Sequence, residues 1–167
     1  MKRFLIRDGL ILALTACLFI WPSDVFALQL AKGGLVGLCA YLFHEWAHLI
    51  GALVGNAKLS VASSLYSPFL FSFASLENSL AQFFAMTLPG FIATAMYLFV
   101  FIKFLPSQSL WGETALAIGW LLAALTIIIE GPIALYALVF RRVPAVEIPF
   151  LGDNPLLSRI FKRWRED

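Results

Sequence analysis

The sequence predicts an all-α membrane protein of about four transmembrane helices, with a short interfacial hairpin after the second. Three observations carry that prediction. The chain of 167 residues is 61% hydrophobic and only 13% charged, whereas a soluble domain is nearer half apolar and a quarter charged. Its apolar residues gather into four runs, Phe4 to Trp21, Gly33 to Val54, Ser79 to Phe104 and Thr114 to Phe140. Each approaches or exceeds the ~20 residues that cross ~30 Å of hydrocarbon. If all four span, ten of the twelve Lys and Arg fall on one side: Lys2, Arg3, Arg7, Lys58, Arg141, Arg142, Arg159, Lys162, Arg163 and Arg165. Only Lys32 and Lys103 fall on the other. Positive residues favour the inner side, so both termini are expected in the cytoplasm, with two short outer loops.

The first run begins after Lys2-Arg3 and carries Arg7 and Asp8 near its start. With the apolar stretch 9–20 and Val25-Phe26-Ala27, it resembles a secretory signal. We read it as an uncleaved first helix. Cleavage after Ala27 would leave three spans in the same orientation. Leu14-Thr15-Ala16-Cys17 has the look of a lipoprotein box, but Leu18-Phe19-Ile20-Trp21 is too apolar a continuation for a lipidated cysteine. Cys17 and Cys39 both lie in apolar runs and read as small buried hydrophobes.

The second run contains His44-Glu45-Trp46-Ala47-His48, which holds both histidines of the chain. Four residues apart on a helix, the imidazoles share a face and can reach one metal ion. Glu45, about a third of a turn round, is placed to take a proton from water that the metal activates. The plain alternative is a buried pair satisfied by backbone carbonyls, although ionisable groups in a span are costly and usually functional. Cys39 points roughly 140° away from His44 on a helix, which makes it a poor third ligand.

The stretch from Gly55 to Asn78 is too apolar for a solvated loop and too broken by serine for a span. A short hairpin or re-entrant segment at the interface fits it, against an irregular loop packed on the membrane surface. Pro22-Ser23-Asp24 and Leu105-Pro106-Ser107-Gln108-Ser109 punctuate the two outer turns. Residues 1–140 form the membrane domain and 141–167 a basic cytoplasmic tail. In that tail Leu156, Leu157, Ile160, Phe161 and Trp164 recur at helical spacing beside Arg159, Lys162, Arg163 and Arg165, as in a helix lying on an anionic leaflet. So short a basic patch does not suggest nucleic acid, and the lipid bilayer is the partner it implies.

A catalytic zinc site has three protein ligands and an open position, so the third ligand here is expected to be a carboxylate. Glu130 lies within Thr126-Ile127-Ile128-Ile129-Glu130-Gly131-Pro132-Ile133, where an unpaired carboxylate would cost ~2.5 kcal/mol or more. Counting from either end of the two runs sets His44, His48 and Glu130 within a turn or two of one level. Pro132 removes a backbone donor and frees the carbonyl of Ile128, so the helix is expected to kink or open beside the carboxylate. The alternatives are a protonated Glu130 bonded to a neighbouring helix, or Asp153 as ligand if the tail folds back.

The pentad in a span, the apolar hairpin-like stretch after it and a later carboxylate beside glycine resemble the site-2 protease family of intramembrane zinc metalloproteases. That family has a core of three spans and takes its third zinc ligand from a leucine-aspartate-glycine motif. Glu130-Gly131 corresponds to that motif with glutamate in place of aspartate. Ile148-Pro149-Phe150-Leu151-Gly152-Asp153 looks like the approach to it with glycine and aspartate reversed. Leu88-Pro89-Gly90 has the family's glycine and proline in reversed order. The resemblance implies zinc on His44, His48 and Glu130, with Glu45 as the catalytic base. It implies hydrolysis of a peptide bond in or near the transmembrane segment of a membrane-protein or peptide substrate. Two other classes stand beside it: a non-catalytic membrane scaffold or partner with a structural or vestigial metal site, and a transporter with an intramembrane metal site.

Overall fold

Among the described residues three helices are long and apolar enough to cross a membrane, and the 29-residue middle one in space, Phe26–Val54, organises the others. A computed structural model describes residues 1–21, 24–106 and 108–144. Helix α1 is Lys2–Ile20 and α2 is Phe26–Val54; strands β1 (Leu59–Val61) and β2 (Phe71–Phe73) follow, then α3 (Leu80–Phe104). A last long helix, Leu110–Phe140, consists of α4 (Leu110–Leu125), a π-helical turn (Thr126–Glu130) and α5 (Gly131–Phe140). Helix α1 is continuous over 19 residues, but Lys2, Arg3, Arg7 and Asp8 occupy its first two turns. The expectations for Asp153 and for the tail helix lie outside the described residues.

The helix starts follow local rules. At α3, Ser79 and Gln82 form a reciprocal capping box: the Ser79 amide donates to Gln82 Oε1 at 2.8 Å and the Gln82 amide to Ser79 Oγ at 3.3 Å. Ser109 caps α4 by accepting from the Gly112 amide at 3.2 Å. Helix α2 starts earlier than its apolar run suggests, and it takes Lys32 into the helix. That residue is only 5% exposed; its Nζ donates to the Trp21 carbonyl at the C-terminal end of α1 (2.9 Å) and lies 5.8 Å from the centre of the Phe19 ring. The negative end of a helix thus holds the cation that the sequence assigns to an outer loop.

Packing of α2 rests on two pairs of small residues at four-residue spacing. Gly33 and Gly37 lie against Trp111, Thr114 and Ile118 of α4, and Gly51 and Gly55 lie against Ala85 and Pro89 of α3. Within a bilayer such glycines let helix backbones approach closely, since lipid offers no hydrophobic drive to association. The result is one helix clasped by α3 near one end and by α4 near the other.

The stretch after α2 carries an antiparallel two-stranded pairing, with Leu59 opposite Phe73, Ser60 opposite Ser72 and Val61 opposite Phe71. Asn78 closes its base by accepting from the Lys58 amide (2.7 Å) and donating to the carbonyls of Lys58 (2.7 Å) and Ala74 (2.9 Å). The inward face of this pair packs Phe73 on Ala52, Phe83, Met86 and Ala137. The connection between the strands packs Leu70 on Phe4 and Leu49. Both clusters stand over the pentad end of α2.

Candidate metal centre

Helix α2 presents His44 and His48 on successive turns of the face that meets α3. Backbone carbonyls of α3 receive both rings: His44 Nδ1 lies 3.1 Å from the Gly90 carbonyl and His48 Nδ1 lies 2.9 Å from that of Met86. Carbonyl oxygens only accept, so each Nδ1 donates its N–H to α3 and each Nε2 is left to face the third group. The Thr94 hydroxyl, 2.9 Å from His44 Nδ1, shares that proton. Gly90 also makes room, because a Cβ there would run into the His48 imidazole. The carbonyls that would satisfy a merely buried pair of histidines are present, and beyond them the two Nε2 atoms meet each other and Glu130.

The third group arrives from the far helix. Proline at 132 has no amide hydrogen and its ring crowds the carbonyl four residues back. The chain answers with a π turn, in which the Gly131 amide bonds to the Thr126 carbonyl five residues earlier. The expected opening therefore takes the form of a widened turn that ends on Glu130. π turns of this kind interrupt α-helices most often at functional sites. Glu130 Oε1 sits 3.0 Å from His44 Nε2, Glu130 Oε2 sits 3.3 Å from His48 Nε2, and the two Nε2 atoms are 3.0 Å apart.

These separations test what the cluster can hold. Ligands at ~2.0–2.1 Å from a tetrahedral ion stand about 3.3 Å from one another. Here the two Nε2 atoms are 3.0 Å apart and each has a different Glu130 oxygen 3.0–3.3 Å away, so one ligand atom from each residue lies within 4.8 Å of the others. A metal ion, or a proton on one of the rings, can sit among these atoms. Glu130 Oε2 is buried within ion-pair distance of His48. His44, His48 and Glu130 are the residues that could hold a metal ion among those described.

Glu45 is not part of the triangle. It is 5% exposed, beside His44 at 6%, and the backbone of Leu70 is placed to donate to its carboxylate. Cys39 turns to α1 instead, with Sγ 3.4 Å from Thr15 Oγ1, as its helical angle suggests. Among residues the pattern reading passed over, Thr94 and Met86 hold the rings, and Asp8 accepts from the Trp46 indole at 2.8 Å. A threonine in an apolar run and a carboxylate in the first one were the available signals. Compared with protein-family models, curated proteins and solved structures, the chain matches none.

Proposed function

We propose that the protein is an intramembrane zinc metalloprotease that hydrolyses a peptide bond in or near a transmembrane segment. The observation that carries this reading is the convergence of two imidazole Nε2 atoms and one carboxylate within 4.8 Å of one another, with a fourth ionisable group, Glu45, beside them. Two His and one carboxylate with an open position is the ligand set of hydrolytic zinc. Zinc held there would supply Lewis acidity toward a scissile carbonyl and toward the attacking water. Glu45 takes the proton from that water and returns it to the leaving amine. The paired strands offer a free edge on which an unwound substrate segment can add as a further strand. In this reading α1 is a fourth span, the strand pair lies at the inner interface, and both termini are cytoplasmic.

The near-complete burial of His44 and Glu45 favours a second reading, a membrane scaffold with a structural metal site. Metal analysis of the purified chain beside its His44→Ala, Glu130→Ala, Asp153→Ala and Glu45→Gln variants separates the two, with cleavage of a transmembrane reporter measured in parallel. A protease keeps its zinc in Glu45→Gln and loses about 10²–10⁴-fold in turnover. A scaffold keeps zinc and has no turnover to lose. Zinc retained in Glu130→Ala, or lost in Asp153→Ala, removes Glu130 as the third ligand.

A further inference from the structure

Glu45 sits on a face of α2 that also carries Tyr41 and Leu49, four residues to either side. All three meet the connection between β1 and β2. The Tyr41 hydroxyl donates to the Pro68 carbonyl, the Leu70 backbone faces the Glu45 carboxylate, and Leu49 packs on Leu70. This connection has little regular structure of its own, yet several of its carbonyls are taken by side chains from elsewhere. Arg7 Nη1 donates to Leu65 at 2.8 Å and to Ser67 at 3.2 Å, and Arg3 donates to Ala62. Both arginines come from the first two turns of α1.

The Arg7 guanidinium is itself oriented. Its Nε donates to Asp8 Oδ1 at 2.6 Å, while Asp8 Oδ2 accepts from Trp46 Nε1 at 2.8 Å. Asp8 is 4% exposed, and Trp46 is the residue next to Glu45. A buried carboxylate is costly unless its partners are complete, and here both oxygens are bonded. One unbroken run of contacts therefore leads from Trp46 through Asp8, Arg7 and the connection to Leu70 and back to Glu45.

We propose that Arg7 and Asp8 are positioning residues for the Glu45 carboxylate, acting through the connection 62–70. The inference rests on Glu45 being the base of the site, and gives α1 a part in the chemistry beyond crossing the membrane. Catalytic groups must hold their geometry to about half an ångström, and a misplacement of about 1 Å costs of order 10²-fold in rate. A backbone donor on a short connection can meet that tolerance only if the connection is fastened.

The test uses the full chain in liposomes, with Arg7→Gln, Asp8→Asn and the milder Tyr41→Phe, which removes one hydroxyl. Labelling of Glu45 by a water-soluble carbodiimide, read by mass spectrometry, reports its exposure with or without metal and whether or not any substrate is cleaved. Each variant should label Glu45 severalfold faster than wild type while zinc content stays unchanged. On a transmembrane reporter, kcat should fall about tenfold to a hundredfold in Arg7→Gln with KM within twofold, and Arg7→Lys should recover part of it. Unchanged labelling in Tyr41→Phe and Asp8→Asn overturns the proposal, whatever the fate of Arg7→Gln. So does a rise in turnover, which would make the connection a shutter. Absence of zinc or turnover in the wild type would instead count against the protease reading and leave the labelling result to decide this one.

Discussion

At the scale of the residue, the site depends on two positions that ligate nothing. Gly90 gives its carbonyl to His44 and its missing side chain to His48. Gly90→Ala should push the His48 ring off the triangle and weaken zinc binding at least tenfold, as measured by competition with a chromophoric chelator. Affinity equal to wild type would mean that the ring has room to spare. Thr94→Val is the subtler change. It preserves volume but removes the hydroxyl 2.9 Å from His44 Nδ1, and partners of this kind are worth about 10–100-fold in metal affinity. The same titration should show that loss with the helical content unchanged. In the sequence, the pentad stood out because two histidines at helical spacing share a face and can reach one metal ion. Gly90 was noticed only beside Pro89, since a carbonyl acceptor leaves no mark on residue identity, and Thr94 was hidden because a threonine in an apolar helix is ordinary.

At the scale of the element, the three long apolar helices and the opening at Pro132 were legible, and the boundaries were not. Helix α2 extends beyond its run because Lys32 finds the carbonyl of Trp21, a tertiary partner that no window of hydropathy contains. The glycine pairs were readable in principle at i and i+4, and they yield a contrast within adjacent residues. Gly33 is pressed against Thr114 and the Trp111 carbonyl, whereas Gly34 faces open space. Gly33→Val should therefore lower resistance to denaturing detergent by an amount worth about 1–3 kcal/mol, while Gly34→Val should change it little. Equal effects would show that α2 and α4 do not meet along this seam. The π turn makes a different prediction. Pro132→Ala restores an amide that can bond to Ile128, so the turn can relax to α-helical pitch and swing Glu130 away from the histidines. Zinc affinity should fall while the helix itself gains stability, two changes of opposite sign that calorimetry and metal titration can read on one sample. A fall in both would assign the proline a role in folding alone.

At the scale of the whole molecule, the sequence carried the mostly helical class and the meeting of His44, His48 and Glu130, a triad that could hold a metal ion, but not how the parts enclose it. Residue counts brought Glu130 to the depth of His44 and His48 because helical rise is constant. They could not reveal that α1 fastens the connection between the strands, since those contacts run from side chains to backbone carbonyls across 58 to 60 residues of sequence. The triad also has a mechanical consequence. Its histidines belong to α2 and its carboxylate to the last long helix, so a bound ion joins two spans whose direct contacts are made chiefly by α4, before the π turn. Zinc that binds only the folded chain stabilises it by about 2.7 kcal/mol at a hundredfold excess over Kd. Wild type and Glu45→Gln should show the same gain on adding zinc, because Glu45 stands outside the triangle. Glu130→Ala should lose most of it, and chelation should return the first two to the level of the third. Denaturant titration with and without zinc measures all three. If Glu130→Ala gains as much as wild type, the ion rests on α2 alone and does not join the spans.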